Sequence, residues 1–400
     1  MGVWLMKVCI VTTAFPRWPQ DNRGTFILEA ARAVQAQGAQ VRVIAMHSPG
    51  AKTREVMDSI EVIRPPYLWP ERLEVLQKEG GGLPIMWRKS RLARCEILPF
   101  FMAHTLAIMR FARDCDIIHA NWTLSAAAAW MGQFYHRRPI LVTLQGSDIY
   151  QATQLPLVSR FTAMVLKRSS RVLAISKSLA EATIALGISP SQVEVVSDGV
   201  DTDKFCPSGE ERKSFIVFVG SLIERKGLRH LIRAMSQVRR EFPECRLVII
   251  GEGPQQAELN SLADSLGIAD NVSFVGPQTP VQISQWMQQA RLFVLPSVEE
   301  GLGVVLLEAL ASGTPCVATS VGGIPDVVSP EVGILVPPAE PDALAEAIIA
   351  LWRDRQRWEM ASRRARERAV ERFSWKSIAC HLVELYQAVI DSKKSEYRLQ

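Results

Sequence analysis

Short apolar runs of four to seven residues alternate with longer helical patterns through both halves of this chain. A chain so patterned is confined to βαβ units wound around parallel sheets. In the first half the pattern predicts strands at Val8–Thr12, Val41–Ala45, Ile117–Ala120, Ile140–Thr143, Val172–Ile175 and Val193–Val196, with helices at Gly24–Gln37 and Ala180–Leu186, the latter ended by Gly187 as a left-handed cap. In the second half it predicts strands at Phe215–Val219, Arg246–Ile250, Val272–Val275, Leu292–Leu295, Cys316–Ala318 and Gly333–Val336. Helical crossovers fall at Gly227–Arg240, Gln255–Leu266, Pro280–Gln289, Val304–Ala311 and Pro341–Trp352.

At about 150 residues per domain, 400 residues point to two cores. The polar stretch FCPSGEERK at Phe205–Lys213 is the best boundary. The expected domains are 1–205 and 206–375, with an amphipathic tail helix, 376–400, returning to complete the first; its apolar stripe is Ile378, Leu382, Leu385 and Val389. Two doubly wound parallel sheets meeting at a cleft would place ligands at the carboxyl ends of their strands.

A net charge of +5 over this length suits anionic substrates or an anionic membrane surface and leaves no nucleic-acid footprint. Seven scattered cysteines without a CxxC pair read as reduced core thiols of a cytoplasmic protein. The N-terminus MGVWLMKVCIVTTAF shows no signal-peptide pattern. Ile117–Tyr135 has no formally charged side chain, but His119, Asn121, Thr123, Ser125 and Gln133 favour a buried strand, a polar loop and an alanine-rich helix over a membrane span. Residues 64–100 break the regular pattern with five prolines, Gly80-Gly81-Gly82 and a basic-aromatic set including Trp69, Trp87, Arg88, Lys89, Arg91 and Arg94. Two readings stand for 64–109: a peripheral contact with membrane lipid or a lipid-linked acceptor, or a surface excursion capped by Arg and Trp stacking.

The stretch LPSVEEGLGVVLLEALASGTPCVAT, Leu295–Thr319, sets Glu300 and Glu308 eight positions apart around a Gly301-Leu302-Gly303 loop that opens an apolar helix. Glycines let backbone approach a ligand, and a helix start offers free N–H groups to an anion. Glu308 lies on the order of 7 Å further along that helix, so the pair can span a phosphate. In FVGSLIERKG, Phe218–Gly227, Arg225 and Lys226 stand at a helix entry and read as a diphosphate clamp; alone they would read as a solvated basic turn. The loop Thr13–Thr25 contains no GxGxxG, which argues against a dinucleotide oxidoreductase, although Gly24 at a helix start can approach a phosphate or acceptor. His119 ends a strand in DIIHANW; catalytic and structural readings both stand for it.

These motifs resemble the retaining glycosyltransferases of family 4, which have the two-Rossmann α/β architecture called GT-B. The resemblance spans essentially the whole chain and is strongest from Phe215 to Val336, through FVGSLIERKG, GEGP, VSFVGP, the glutamate-pair stretch, VGGIPDVV and GILVPP. It implies that Glu300 lies near the donor sugar and Glu308 on the ribose hydroxyls, that Lys226 neutralises a diphosphate leaving group, and that Gly301, Leu302, Gly303 and Val304 supply backbone donors. The family's usual arginine after the glycine closing the second domain's first strand is Ser221 here, with Arg225 as a candidate substitute. The usual His-x-His is His119 and Asn121, and Thr-x-His-Gly-x-Asp appears as TLQGSD, with Gln145 and Asp148 as acceptor-side candidates.

The implied activity is metal-independent, retaining transfer from a nucleoside-diphosphate sugar to a glycan, lipid-linked or small-molecule acceptor, with same-face attack because no nucleophile is evident. No cofactor is expected, and Asp201-Thr202-Asp203 is a weak candidate for a metal loop. The alternatives are another GT-B enzyme such as a sugar-nucleotide epimerase, or a catalytically silent sensor or scaffold.

Overall fold

The structure, a computed structural model, describes residues 5–18, 21, 23–76 and 91–399. Chain contacts divide it into two compact units, Met1–Ile175 with Leu179–Val196 and Ala379–Gln400, and Ser176–Ser178 with Ser197–Ile378. The second unit therefore begins at Ser197 and not at residue 206. The reason is local: Val200 donates its N–H to the Phe373 carbonyl at 2.8 Å and accepts from Trp375 at 3.2 Å, tying the segment after the last strand of the first unit into the second.

The first unit holds an eight-stranded sheet of β1 (Lys7–Thr12), β2 (Gln40–Ala45), β3 (Arg54–Met57), β4 (Ile60–Ile63), β5 (Ile117–Asn121), β6 (Ile140–Leu144), β7 (Arg171–Ala174) and β8 (Val193–Val195), ordered β3-β4-β2-β1-β5-β6-β7-β8. All pairings are parallel except β3 with β4. Every residue of β5 and β6 is buried, as expected of strands covered on both faces. The β3–β4 hairpin was not expected. Its two-residue turn, Asp58-Ser59, takes positive φ at both positions (50° and 65°) without a glycine, and its strands, Arg-Glu-Val-Met and Ile-Glu-Val-Ile, show no strict alternation. Helices Ser147–Gln154 and Pro156–Lys167 likewise go beyond the pattern read above.

The second unit is a six-stranded, fully parallel sheet of β9 (Lys213–Val219), β10 (Arg246–Ile250), β11 (Val272–Gly276), β12 (Ala290–Leu295), β13 (Cys316–Thr319) and β14 (Gly333–Val336), ordered β11-β10-β9-β12-β13-β14. The five crossover helices read from the pattern lie where it puts them, within a residue at each end, while the short Ile324–Val327 helix between β13 and β14 was not read. Pro280–Gln289 shows why: Thr279 and Gln282 form a reciprocal capping box ahead of Pro280.

Each sheet has one place where the chain leaves in opposite directions from neighbouring strands: β1/β5 in the first unit and β9/β12 in the second. Ligands of open α/β sheets bind at the carboxyl ends of such strands. Ile117–Tyr135, weighed as a membrane span, is instead β5 followed by helices Thr123–Met131 and Gln133–His136. Residues 77–90, including Gly80-Gly81-Gly82, Trp87, Arg88 and Lys89, lie outside the described residues. Among the described residues no helix is long and apolar enough to cross a membrane.

Candidate active site

In the second unit the loops leaving β9 and β12 meet at the switch point. Val298 and Glu299 donate their N–H groups to the Arg225 carbonyl at 2.8 and 3.3 Å, which binds one loop to the other. The approach is so close that a Cβ on Gly227 (φ +65°) would sit 2.0 Å from the Pro296 carbonyl oxygen. That contact brings the Lys226 ammonium to Glu300, with Nζ 2.5 Å from Oε2 and both side chains only 15% and 13% exposed. Ser297, fully buried, donates its hydroxyl to the same carboxylate at 3.2 Å. The loop is pinned from its other side by Gly322 and Gly323. Gly323 donates to the Gly301 carbonyl at 3.0 Å, and a Cβ on Gly322 (φ +53°) would lie 1.7 Å from the Glu300 carbonyl oxygen.

Beyond Glu300 the chain turns through Gly301, the buried Leu302 and Gly303, which caps the Val304–Ala311 helix in the left-handed region at φ 83°. Leu302 thus anchors the loop into the core, while Gly301 and Val304 are half-buried. The carboxyl of Glu308, also half-buried, makes no hydrogen bond or ion pair among the described residues. Burial pushes its carboxyl up to about 7, with the Lys204 ammonium pulling weakly the other way.

Arg225 is exposed and forms no ion pair among the described residues; its carbonyl, not its guanidinium, organises the loop. Ser221 is exposed. The sequence reading missed Ser297 and the role of Gly322-Gly323. The signal for the glycines is the Gly-Gly pair itself within VGGIPDVV.

The first unit treats its candidates differently. His119 is buried, with Nδ1 2.6 Å from the Tyr386 hydroxyl and Nε2 2.7 Å from the Thr143 hydroxyl. Burial holds its pKa down at about 4. Both ring nitrogens are occupied inside the unit, so that His119 joins β5 and β6 to the Trp375–Leu399 helix, as its structural reading has it. Tyr386, fully buried, does on that helix what the sequence reading gave to the half-buried Leu385. Gly24 caps the Thr25–Ala36 helix at φ 59°, and its close approach is to its own chain, since a Cβ would lie 2.4 Å from the Ala14 carbonyl oxygen.

Asn121 is buried at the end of β5 and Gln145 is half-buried in the loop after β6. Asp148 accepts from the Thr123 N–H at 3.3 Å and its hydroxyl at 3.4 Å, joining two helix starts, and burial raises its pKa above the usual carboxyl range. Asp201 accepts from the N–H groups of Asp203 and Lys204, both at 3.0 Å, as a turn residue. Among the described residues no three His, Cys, Asp or Glu side chains converge as metal ligands.

Comparison with known proteins agrees with this geometry. Residues 201–368 match the family model for glycosyl transferases group 1, and residues 24–204 match that for Glycosyltransferase Family 4. The D-inositol 3-phosphate glycosyltransferase of Salinispora tropica is 32% identical over 426 aligned residues, covering 96% of this chain and 86% of the relative. Among solved structures, sucrose-phosphate synthase from Thermosynechococcus elongatus superposes with a TM-score of 0.78 at 22% identity, covering 97% of this chain and all (100%) of that one. HepE from Anabaena, solved in complex with UDP-glucose, superposes with a TM-score of 0.72 at 21% identity, covering 96% and 100%. Both likenesses show the GT-B fold. With both halves matched and a relative aligned nearly end to end, this chain belongs to the glycosyl transferases group 1 family and is a hexosyltransferase-type enzyme.

Proposed function

We propose that the enzyme transfers a sugar from a nucleoside-diphosphate sugar, with retention of anomeric configuration and without a metal ion. The observation that carries this reading is the Lys226–Glu300 pair, held at 2.5 Å by glycine-lined loops at the β9/β12 switch point. As the glycosidic bond to the diphosphate breaks, negative charge grows on the leaving oxygen. The Lys226 ammonium is placed to neutralise it, supported by backbone N–H groups at Gly301–Val304 and by Arg225 from the exposed rim. Glu300, steadied by Ser297 and Lys226, faces the donor sugar, and Glu308 accepts the ribose hydroxyls. Glu300 is engaged by Lys226 and Ser297 among the described residues, so departure and attack on one face of the sugar is the proposed course. A trapped covalent glycosyl-enzyme adduct would overturn it.

The Anabaena structure's bound UDP-glucose supports a nucleotide-sugar donor. The name of the Salinispora relative brings a phosphorylated polyol among the small-molecule acceptors, beside glycans and lipid-linked acceptors. The seven cysteines are all unpaired, in keeping with the proposed cytoplasmic location. Thermal unfolding with UDP-, GDP- and ADP-sugars tests the donor reading, since a ligand at 100 times its dissociation constant adds about 2.7 kcal/mol. Stabilisation by one base class supports it; no shift with any member rejects it.

A further inference from the structure

The Arg91–Phe111 helix is apolar on two faces. Phe100, Ala107 and Ile108 are buried beside Glu96 and His104 on its inward face, yet Leu98, Met102 and Leu106, at one-turn spacing, are 65%, 56% and 61% exposed. The stripe ends in Arg110, with Arg113 just beyond, and both are exposed. Soluble helices turn the opposite stripe outward.

The stripe is not isolated. This helix packs on Thr123–Met131 and Gln133–His136, and Thr123–Met131 packs on Pro156–Lys167, so the four form one layer of the first unit. The same layer exposes Phe134 (75%), Tyr135 and Phe161. A groove of about 630 Å³ runs beside Phe134, lined also by Trp130, Met131, Gln133, Arg137 and Lys393.

Charge on this layer has one sign. Between Ile117 and Ser147 there is no acidic residue, and none between Ile149 and Ala180. Glu96 is buried, accepting from the Val75 N–H at 2.8 Å, and Asp114 is paired with Arg42 at 2.5 Å. Arg110, Arg113, Arg137 and Arg160 form no ion pair among the described residues, and Arg113 lies over the Tyr135 ring at 5.4 Å. Apolar side chains ringed by unpaired arginines match the two layers of an anionic bilayer surface, acyl boundary and headgroup. A second copy of the chain is the poorer occupant, because a self-complementary contact would set these arginines against one another.

We propose that this helix layer, centred on Leu98, Met102, Leu106 and Phe134, docks the enzyme on an anionic lipid surface. The inference goes beyond the transfer reaction and does not rest on it. Flotation of the full chain with vesicles of phosphatidylcholine alone, or mixed with phosphatidylglycerol, tests it. Binding is expected on the anionic vesicles, at least about tenfold weaker on neutral ones and in high salt. The exposed double variant Met102→Glu/Leu106→Glu should lose about tenfold in partition with an unchanged melting temperature, and Arg110→Glu/Arg113→Glu should lose the salt-sensitive part. Donor turnover in vesicle-free buffer reads the reaction separately and should be the same in both variants. Equal flotation on both vesicle types, no flotation, undiminished binding by the variants, or a dimer in solution that the same variants dissociate would each overturn the proposal.

Discussion

The two switch points of this molecule are built alike and finished differently. At β9/β12 the charged groups stay near the surface of their unit: Lys226 and Glu300 are partly exposed, and Glu308 has no partner among the described residues. At β1/β5 the matching strand end turns its titratable group inward, where His119 is held by Tyr386 and Thr143. Position at a carboxyl strand end is therefore insufficient to make a site. A reactive group must also be left with bonding capacity, as the Glu308 carboxyl is and the His119 ring is not.

Their proton linkages run in opposite senses. Folded Glu308 keeps its proton to about 7, against an ordinary 4.5, so stability falls as pH rises through that window and is level above it. Folded His104 and His119 refuse a proton until about 4, against an ordinary 6.5, so their contribution is lost as pH falls through that window.

The sharpest way to break the contrast is substitution at the clasp. Lys226→Ala should lower kcat by about 10²–10³-fold with the fold retained, while His119→Gln should leave the pH dependence of kcat between pH 5 and 8 in place; steady-state kinetics on both variants checks this. Gly322→Ala comes next. With its Cβ 1.7 Å from the Glu300 carbonyl oxygen at a positive φ, it must displace the loop, costing about 3 kcal/mol or more in denaturant unfolding and most donor binding.

Glu308→Gln should separate stability from function. It should stabilise the free protein by about 1–3 kcal/mol at pH 8, a figure reduced for partial solvent access, and weaken donor binding at the same pH. A variant that is both less stable and fully able to bind would contradict the account of this carboxyl. The smallest expected effect is Tyr386→Phe, which removes one buried hydrogen bond to His119 and should cost about 1 kcal/mol, with kcat unchanged.

What was legible in the sequence follows the range over which each feature is determined. Pro280–Gln289 could be read because its capping box and proline lie within four residues of its start. The β9 to β14 strands could be read because they are continuous apolar runs. The β3–β4 hairpin could not, since Asp58 and Ser59 adopt conformations usually marked by glycine. In the site, glycine spacing around Glu300 announced a close backbone approach, and the structure supplies its partners at Gly322 and Gly323. The fate of His119 was hidden because its partner, Tyr386, lies 267 residues away on a helix whose apolar stripe disguised one polar contact.

The central claim is that Lys226, positioned by Glu300 at the β9/β12 switch point, seats the donor's diphosphate. Calorimetric titration of UDP, GDP and ADP against their monophosphates, on the natural protein and on Lys226→Ala, tests it most directly. The account predicts that at least one diphosphate binds the natural protein more than about tenfold tighter than its monophosphate, a difference near 1.4 kcal/mol, and that Lys226→Ala abolishes this preference. A preference of undiminished size in Lys226→Ala, or none in either protein, would contradict it.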